Sequence, residues 1–400
     1  MNRPRVLFLD HVGVLGGAEL YLADVARSFH DTSMVVLFED GPFAERLRSD
    51  GVAVEVESAP AGFLDVQKTD GWASILTSVP GLIDLTRRVA DRAADFDLLF
   101  ANSQKSLFVA GLAGWVSDCP VVWNLHDILT ASRFGALPQW ATVTATTWLT
   151  NRVIVNSEAT REAFVQIGGC RDKTRLVYNG IDIERFETAP RQPDDWLRDR
   201  LDVPSSAPLV GMFSRLAPWK GQHVLVEAIA ELPGTHAVLV GDSLFRGDEP
   251  YEDRLRRSAH RHQVEDRVHF LGFRDDIPRL MHAVDVVVHA STAPEPFGRV
   301  IVEGMLAGRP VVATRAGGAR EIIDHGETGL LTPPDDSDAL AQALDRLLSN
   351  PDAARSLARA GRRHAQRRFS LQTMRDAIAA VIRSAAASPS SSSVPIPTSS

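Results

Sequence analysis

Along the chain, short runs rich in valine, leucine and isoleucine alternate almost throughout with longer amphipathic stretches of helical spacing. Continuous apolar runs separated by helix-length segments predict parallel sheets with helical crossovers. In the first half the predicted strands are RVLFLD, SMVVLFE, VAVEVE, DLLFANS, PVVWNLH, NRVIVNS and TRLVYNG, enough for one sheet domain. A polar, proline-bearing stretch from Asp182 to Pro208 then reads as a linker followed by a short helix. Beyond it LVGMF, THAVLVGD, RVHFLGF, DVVVHAS, PVVAT and GLLTP predict a second sheet of similar size. The expectation is an α/β protein of two parallel-sheet domains with a cleft between them. Ligands in such folds bind outside the carboxyl ends of the strands, so the residues that follow strands carry the candidate chemistry.

Composition changes this picture little. The 400 residues are 44% hydrophobic and 24% charged, ordinary for a globular chain of two or three domains. A net charge of −8 argues against a nucleic-acid partner, which calls for a basic domain or stripe. Cys119 and Cys170 lack metal-ligand spacing and are too few for a disulfide framework, which makes a reducing cytoplasm the default. The start MNRPRVLFLD runs straight into a strand without the pattern of a signal peptide, and no apolar run approaches the roughly 20 residues of a membrane span. The ending ASPSSSSVPIPTSS reads as a disordered tail over 387–400.

Four stretches that follow strands hold candidate ligand groups. In HVGVLGGAELYLADVARSF, Gly13, Gly16 and Gly17 precede an amphipathic helix, where glycine admits close backbone approach and the helix start offers N–H groups to an anion. A tight strand-to-helix turn explains the same glycines. In WNLHDI, His126 and Asp127 end the fifth strand, and a histidine there suits a sugar hydroxyl or a reacting group. The bland reading is a solvated loop histidine. In LVGMFSRLAPWKGQ, Arg215 and Lys220 sit on a loop that opens a helix, which is what a diphosphate needs, although the Gly-x4-Gly-Lys pattern of a P-loop is missing.

The fourth stretch, APEPFGRVIVEGMLAGRPVVAT, places Glu295 and Glu303 eight residues apart. A continuous helix would set them about 12 Å apart along its axis and about 80° apart around it, on different faces. Pro296 and Gly298 predict a loop that turns into a helix near Gly298, with Glu295 on the loop and Glu303 on the second turn. Amides from Gly298 through Arg299 to Val300, just past Phe297, then face an anion, and the glutamates suit neutral hydroxyls such as those of a sugar.

Together EPFGRVIVE, SRLAPWKG, NLHD, LGGAE, NGID and GGAREIIDHGETGLL resemble the retaining glycosyltransferases of family 4, in order from about Val6 to about Phe369. The resemblance implies the GT-B fold, two Rossmann-like domains facing across a cleft. It implies an N-terminal acceptor-binding domain over 1–185 and a C-terminal nucleotide-sugar-binding domain over 186–369. A helix over 370–386 would cross back to the first domain. By the same resemblance Glu295 contacts the donor sugar, Glu303 the ribose, Arg215 and Lys220 the diphosphate, and His126 the transferred sugar. Gly16 and Gly17 lie near the donor phosphates or the acceptor, and Phe297, Gly298, Arg299 and Val300 complete the donor site. Ser214 and Arg320 stand where the family often has glycine and proline.

The expected function is metal-independent transfer of a hexosyl unit, with retention, from a nucleoside diphosphate sugar to a hydroxyl of a glycan or lipid-linked acceptor. No cofactor and no metal are expected. A sugar-nucleotide epimerase of the same fold and a sugar-nucleotide-binding protein without turnover are the alternatives. The expected location is cytoplasmic, with peripheral contact at the inner face of a membrane left open. Phe134, Leu137, Trp140 and Trp148, within Ser132 to Arg152, bear on that contact, with core packing the first explanation of these aromatics. The first 180 residues carry more acidic than basic side chains, so total charge gives no strong attraction to anionic lipid.

Overall fold

The computed structural model describes residues 4–59, 72–130, 135–188, 195–243 and 249–387. The tail expected over 387–400 lies outside the described residues from 388 onward, as does the part of the linker over 189–194.

The chain divides into two compact units. One comprises the residues up to Gly180 together with those from Gln372 on, and the other is Ile181–Leu371. In the first unit β1 (Val6–Asp10), β2 (Ser33–Leu37), β3 (Ala53–Val56), β4 (Leu98–Ala101), β5 (Val121–Leu125), β6 (Arg152–Val155) and β7 (Thr174–Leu176) form one sheet in the order β3-β2-β1-β4-β5-β6-β7. Every pairing is parallel. The second unit holds β8 (Leu209–Phe213), β9 (His236–Val240), β10 (Val268–Phe270), β11 (Val286–His289), β12 (Val311–Thr314) and β13 (Leu330–Thr332), again all parallel, in the order β10-β9-β8-β11-β12-β13. Each predicted strand is found. The apolar runs are continuous because helices cover both sheet faces: every residue of β1, β4, β5, β8, β11 and β12 is buried.

Strand order sets where a ligand can enter. In both sheets the order reverses beside the first strand, between β1 and β4 and between β8 and β11. The connections that leave these neighbours go to opposite sides, opening a crevice at the carboxyl ends. Three helices matter in the first unit: α1 (Gly17–Ala26), α2 (Gln104–Ser117) and α3 (Ala136–Leu149). Two matter in the second: α4 (Gln222–Ala230) and α5 (Arg299–Leu306).

The last described helix, α6 (Leu371–Ala386), buries Met374, Ile378, Ile382 and Ala385 at three- and four-residue spacing, one stripe of an amphipathic helix. Its Met374 Sδ accepts the Gly180 N–H at 3.0 Å, and Arg375 Nε donates to the Asp24 carbonyl at 3.2 Å. The first unit is therefore built from both ends of the described chain.

Candidate active site

In the second unit the expected residues gather at the crevice between β8 and β11. The chain leaves β8 through Ser214 and Arg215 and turns into α4 at Gly221. Gln222, buried at the start of α4, holds that loop by donating from Nε2 to the Arg215 carbonyl at 2.8 Å and to Ser214 Oγ at 2.9 Å. Trp219 lies under both cations, its ring 4.2 Å from Lys220 Nζ and 5.5 Å from the Arg215 guanidinium carbon. The Trp219 carbonyl accepts the Thr292 N–H at 2.9 Å, which ties this loop to the one after β11.

Glu295 sits on that second loop and is nearly fully buried. Its Oε1 pairs with Lys220 Nζ and its Oε2 with His289 Nε2. His289 ends β11 in a site so enclosed that burial, assisted by the charge of Lys220, pushes its imidazolium down to about 3. The ring is neutral at physiological pH, so Nε2 carries the proton that it donates to the carboxylate. Both oxygens of Glu295 are thus committed, one to a cation and one to a neutral donor, and the Glu295 carbonyl accepts the Gly318 N–H at 2.9 Å. Gly317, at a φ of +56°, backs the same loop so closely that a Cβ there would collide with the Glu295 carbonyl.

Gly298 begins α5 with a φ of +99°, as Pro296 and Gly298 predicted. Glu303 falls on the second turn, half-buried, its Oε1 4.0 Å from Arg299 Nε. The first N–H groups of a helix lack intrahelical acceptors, and those of Arg299 and Val300 open α5 next to Phe297, which is buried. The site therefore has two cations, a buried carboxylate with a neutral histidine behind it, a second carboxylate and a helix start. That set can hold an anion and hydroxyls side by side.

The first unit carries its own polar site at the carboxyl ends of β1, β4 and β5. Asn102 Nδ2 donates to Asp10 Oδ2 at 2.6 Å and to the Ala18 carbonyl at 3.2 Å. His126 Nε2 lies 2.9 Å from Asn102 Oδ1 and 2.8 Å from Asn124 Nδ2, so it donates to one amide or accepts from the other according to where its proton lies. Tyr21 of α1 sets its ring edge against the His126 ring, with centroids 5.0 Å apart. His126 is held in a network, not merely solvated. Gly16 precedes α1 and Gly17 is its first residue, and the Glu19 carboxylate folds over Gly16. A cavity of about 370 Å³ opens here, lined by His11, Glu19, Asn102, Asn124, His126 and Asp127 on its polar side.

Burial, reinforced by the neighbouring charge of Asp10, raises the Glu19 carboxyl to about 7. Its folded value lies above its unfolded one, so the folded state keeps the proton more tightly and stability from this group falls as pH rises from about 4.5 towards 7. Relative to Glu19→Gln, the wild-type protein is expected to lose about 3 kcal/mol of unfolding free energy between pH 4.5 and 8. Urea unfolding at several pH values checks this; parallel profiles for the two proteins would refute it.

Sequence reading missed His289, Asp10, Asn102, Asn124 and Glu19. The signal was present as a polar residue at or near the end of an apolar run, in VLFLDH, LLFANS, VVWNLH and DVVVHAS. The core-packing account of the α3 aromatics is wrong for the tryptophans: Trp140 is 64% exposed and Trp148 46%, and Trp115 of α2 is 58% exposed. α3 is apolar around most of its circumference, so spacing could not tell which face the sheet would cover. Leu137 lines the cavity, and Phe134 lies outside the described residues. Among the described residues no helix is long and apolar enough to cross a membrane, and no group of three or more His, Cys, Asp or Glu could hold a metal ion.

Comparison with known proteins gives the family. Residues 195–364 match the model for glycosyl transferases group 1, and residues 15–185 match that for Glycosyltransferase Family 4. A D-inositol 3-phosphate glycosyltransferase of Saccharomonospora viridis is 33% identical over 317 residues, 73% of this chain and 71% of that protein. The chain belongs to the group 1 GT-B glycosyltransferases. Another member, the lipopolysaccharide core biosynthesis glycosyltransferase LpsE of Rhizobium meliloti, is 36% identical over 228 residues, and the match spans 57% of this chain and 63% of LpsE. The crystal structure of Anabaena Alr3699/HepE in complex with UDP and glucose is 39% identical, with a TM-score of 0.85 over 95% of this chain and all of that one. The two sheets of the present chain are the Rossmann-like halves of that GT-B fold.

Proposed function

We propose that the protein transfers a hexosyl unit from a nucleoside diphosphate sugar to an acceptor hydroxyl, with retention, in glycan, polysaccharide or glycolipid biosynthesis. The observation that carries this reading is the buried Glu295 carboxylate gripped by Lys220 at the β8/β11 crevice, beside the start of α5. Lys220, Arg215 and the α5 amides receive the diphosphate, Glu295 a hydroxyl of the sugar, and Glu303 the ribose. Negative charge grows on the leaving diphosphate as the glycosidic bond breaks, so these fixed positive groups favour the transition state over the ground state. His126 and the cavity around it receive the acceptor in the first unit. The UDP and glucose bound to the Anabaena protein support a uridine nucleotide as the donor class.

A thermal-unfolding panel with UDP, GDP, ADP and dTDP and their sugar conjugates tests the donor reading. A ligand at 100 times its Kd adds about 2.7 kcal/mol of stability, and UDP compounds are expected to give that shift alone. No shift with any nucleotide at millimolar concentration would remove the reading. Glu303→Ala is expected to weaken donor binding about tenfold through lost ribose contacts, with kcat changing less than KM.

We propose peripheral contact at a membrane on the strength of the exposed Trp115, Trp140 and Trp148, since indole rings partition to the lipid–water boundary. Co-sedimentation with phosphatidylcholine vesicles should fall in Trp140→Ser/Trp148→Ser; equal sedimentation of both proteins would exclude this contact.

A further inference from the structure

The lining of the first unit's cavity is of two kinds. Asn102, Asn124, His126 and His11 make one of them, with donors and acceptors at the ends of the strands. The other is apolar: Phe108 from α2, Leu129 from the segment after β5, and Leu137, Pro138 and Ala141 from the first turns of α3. A free sugar carries hydroxyls around its whole rim, and those turned against this wall would lose water without gaining a partner. Phe108 offers one ring on which a sugar face could stack, and the rest of the wall, Leu129, Leu137, Pro138 and Ala141, is aliphatic. A chain of methylenes meets no such penalty there and gains from leaving water.

The helix that supplies the apolar wall also carries Trp140, more than half exposed, one residue before Ala141. One segment therefore bounds the pocket and presents an indole to the outside. We infer that this pocket takes an amphiphilic acceptor, a hydroxyl-bearing head group at Asn102 and His126 with a hydrocarbon chain laid along Phe108, Leu129, Leu137 and Pro138. The inference rests on the transferase reading above and narrows its acceptor from glycans in general to saccharides or polyols that bear a lipid.

Butyl, hexyl and octyl β-D-glucopyranosides, each below its micelle concentration, form the test series for calorimetric binding to the full-length protein. Burial of each methylene tightens binding about threefold to fourfold, so the octyl compound should bind on the order of a hundredfold more tightly than the butyl one. Leu137→Glu, at a half-buried position on the first turn of α3, should flatten that gradient. Its UDP-induced thermal shift, read in the other unit, should stay as in the wild type and serves as the check on folding. Phe108→Ser provides a second site on the same wall and should flatten the gradient in the same way. Equal affinities along the series, no binding of any glucoside, or a gradient that survives both substitutions would overturn the inference. Each of these can occur with donor binding intact, whereas a wild-type protein that ignores every nucleotide while keeping the gradient would overturn the transferase reading instead.

Discussion

Lys220→Ala is expected to lower kcat by about a hundredfold to a thousandfold, the usual loss when one fixed group that stabilises developing negative charge is removed. It should also destabilise the fold. Lys220 is the cation on a carboxylate that is nearly fully buried, and breaking such a pair by deleting one partner costs about 3–5 kcal/mol or forces the survivor to take up a proton. The two effects separate when the double variant Lys220→Ala/Glu295→Gln is set against Glu295→Gln alone, which keeps the lysine. A neutral amide at 295 needs no counter-charge and still presents an oxygen to His289, so the melting temperature should recover while turnover stays low. A double variant that turns over as fast as Glu295→Gln would show that Lys220 serves the fold alone, and an unchanged kcat in the single variant would remove it from the diphosphate site.

Gly221→Ala is the second change with a large expected effect, and it alters no charge. Gly221 has a φ of +79°, which an L-residue adopts at a cost of about 1–2 kcal/mol, and its Cβ would run into the Ala290 carbonyl. The added Cβ is fixed by its own main chain and meets a main-chain carbonyl, so no side-chain rotation relieves the collision. The β8 loop with Lys220 must then move away from the strand end that holds His289. Gly234→Ala is the matched control, since Gly234 has a φ of +73° and nothing within 4 Å of the added carbon. Stability should fall in both, by about 1–2 kcal/mol in the control and more in Gly221→Ala. Activity should fall at least tenfold only in Gly221→Ala, because a displacement of about 1 Å at a catalytic group costs that much or more. Equal losses of activity in the two variants would disprove the proposed role of this contact.

The fold was legible because its strands are buried on both faces. A run such as VVVH or VVAT has no polar alternation to confuse it with a surface element. The turn at Gly298 was legible in Pro296 and Gly298, and so was the position of Glu303 on α5. What could not be read was anything that depends on strand order. Asp10 meets Asn102 only because β1 lies beside β4, and Lys220 meets Glu295 only because β8 lies beside β11. Neither adjacency follows sequence order. His289 shows the limit most clearly: as a residue in DVVVHAS it is an apolar strand with a polar end, and its neutral charge state comes from a depth of burial that only packing defines.

The return of α6 to the first unit sets the order in which the protein can be finished on the ribosome. A domain made of one continuous stretch folds as soon as it emerges, but here the first unit lacks the partner of Asp24 and Gly180 until α6 has been made. The whole stretch from Ile181 to Leu371 is synthesised in between. At about 5–20 residues per second that is roughly 10–40 s during which the earlier unit waits without the helix that carries Met374 and Arg375. Nascent chains stalled within this interval should therefore be the species that holdase chaperones recognise.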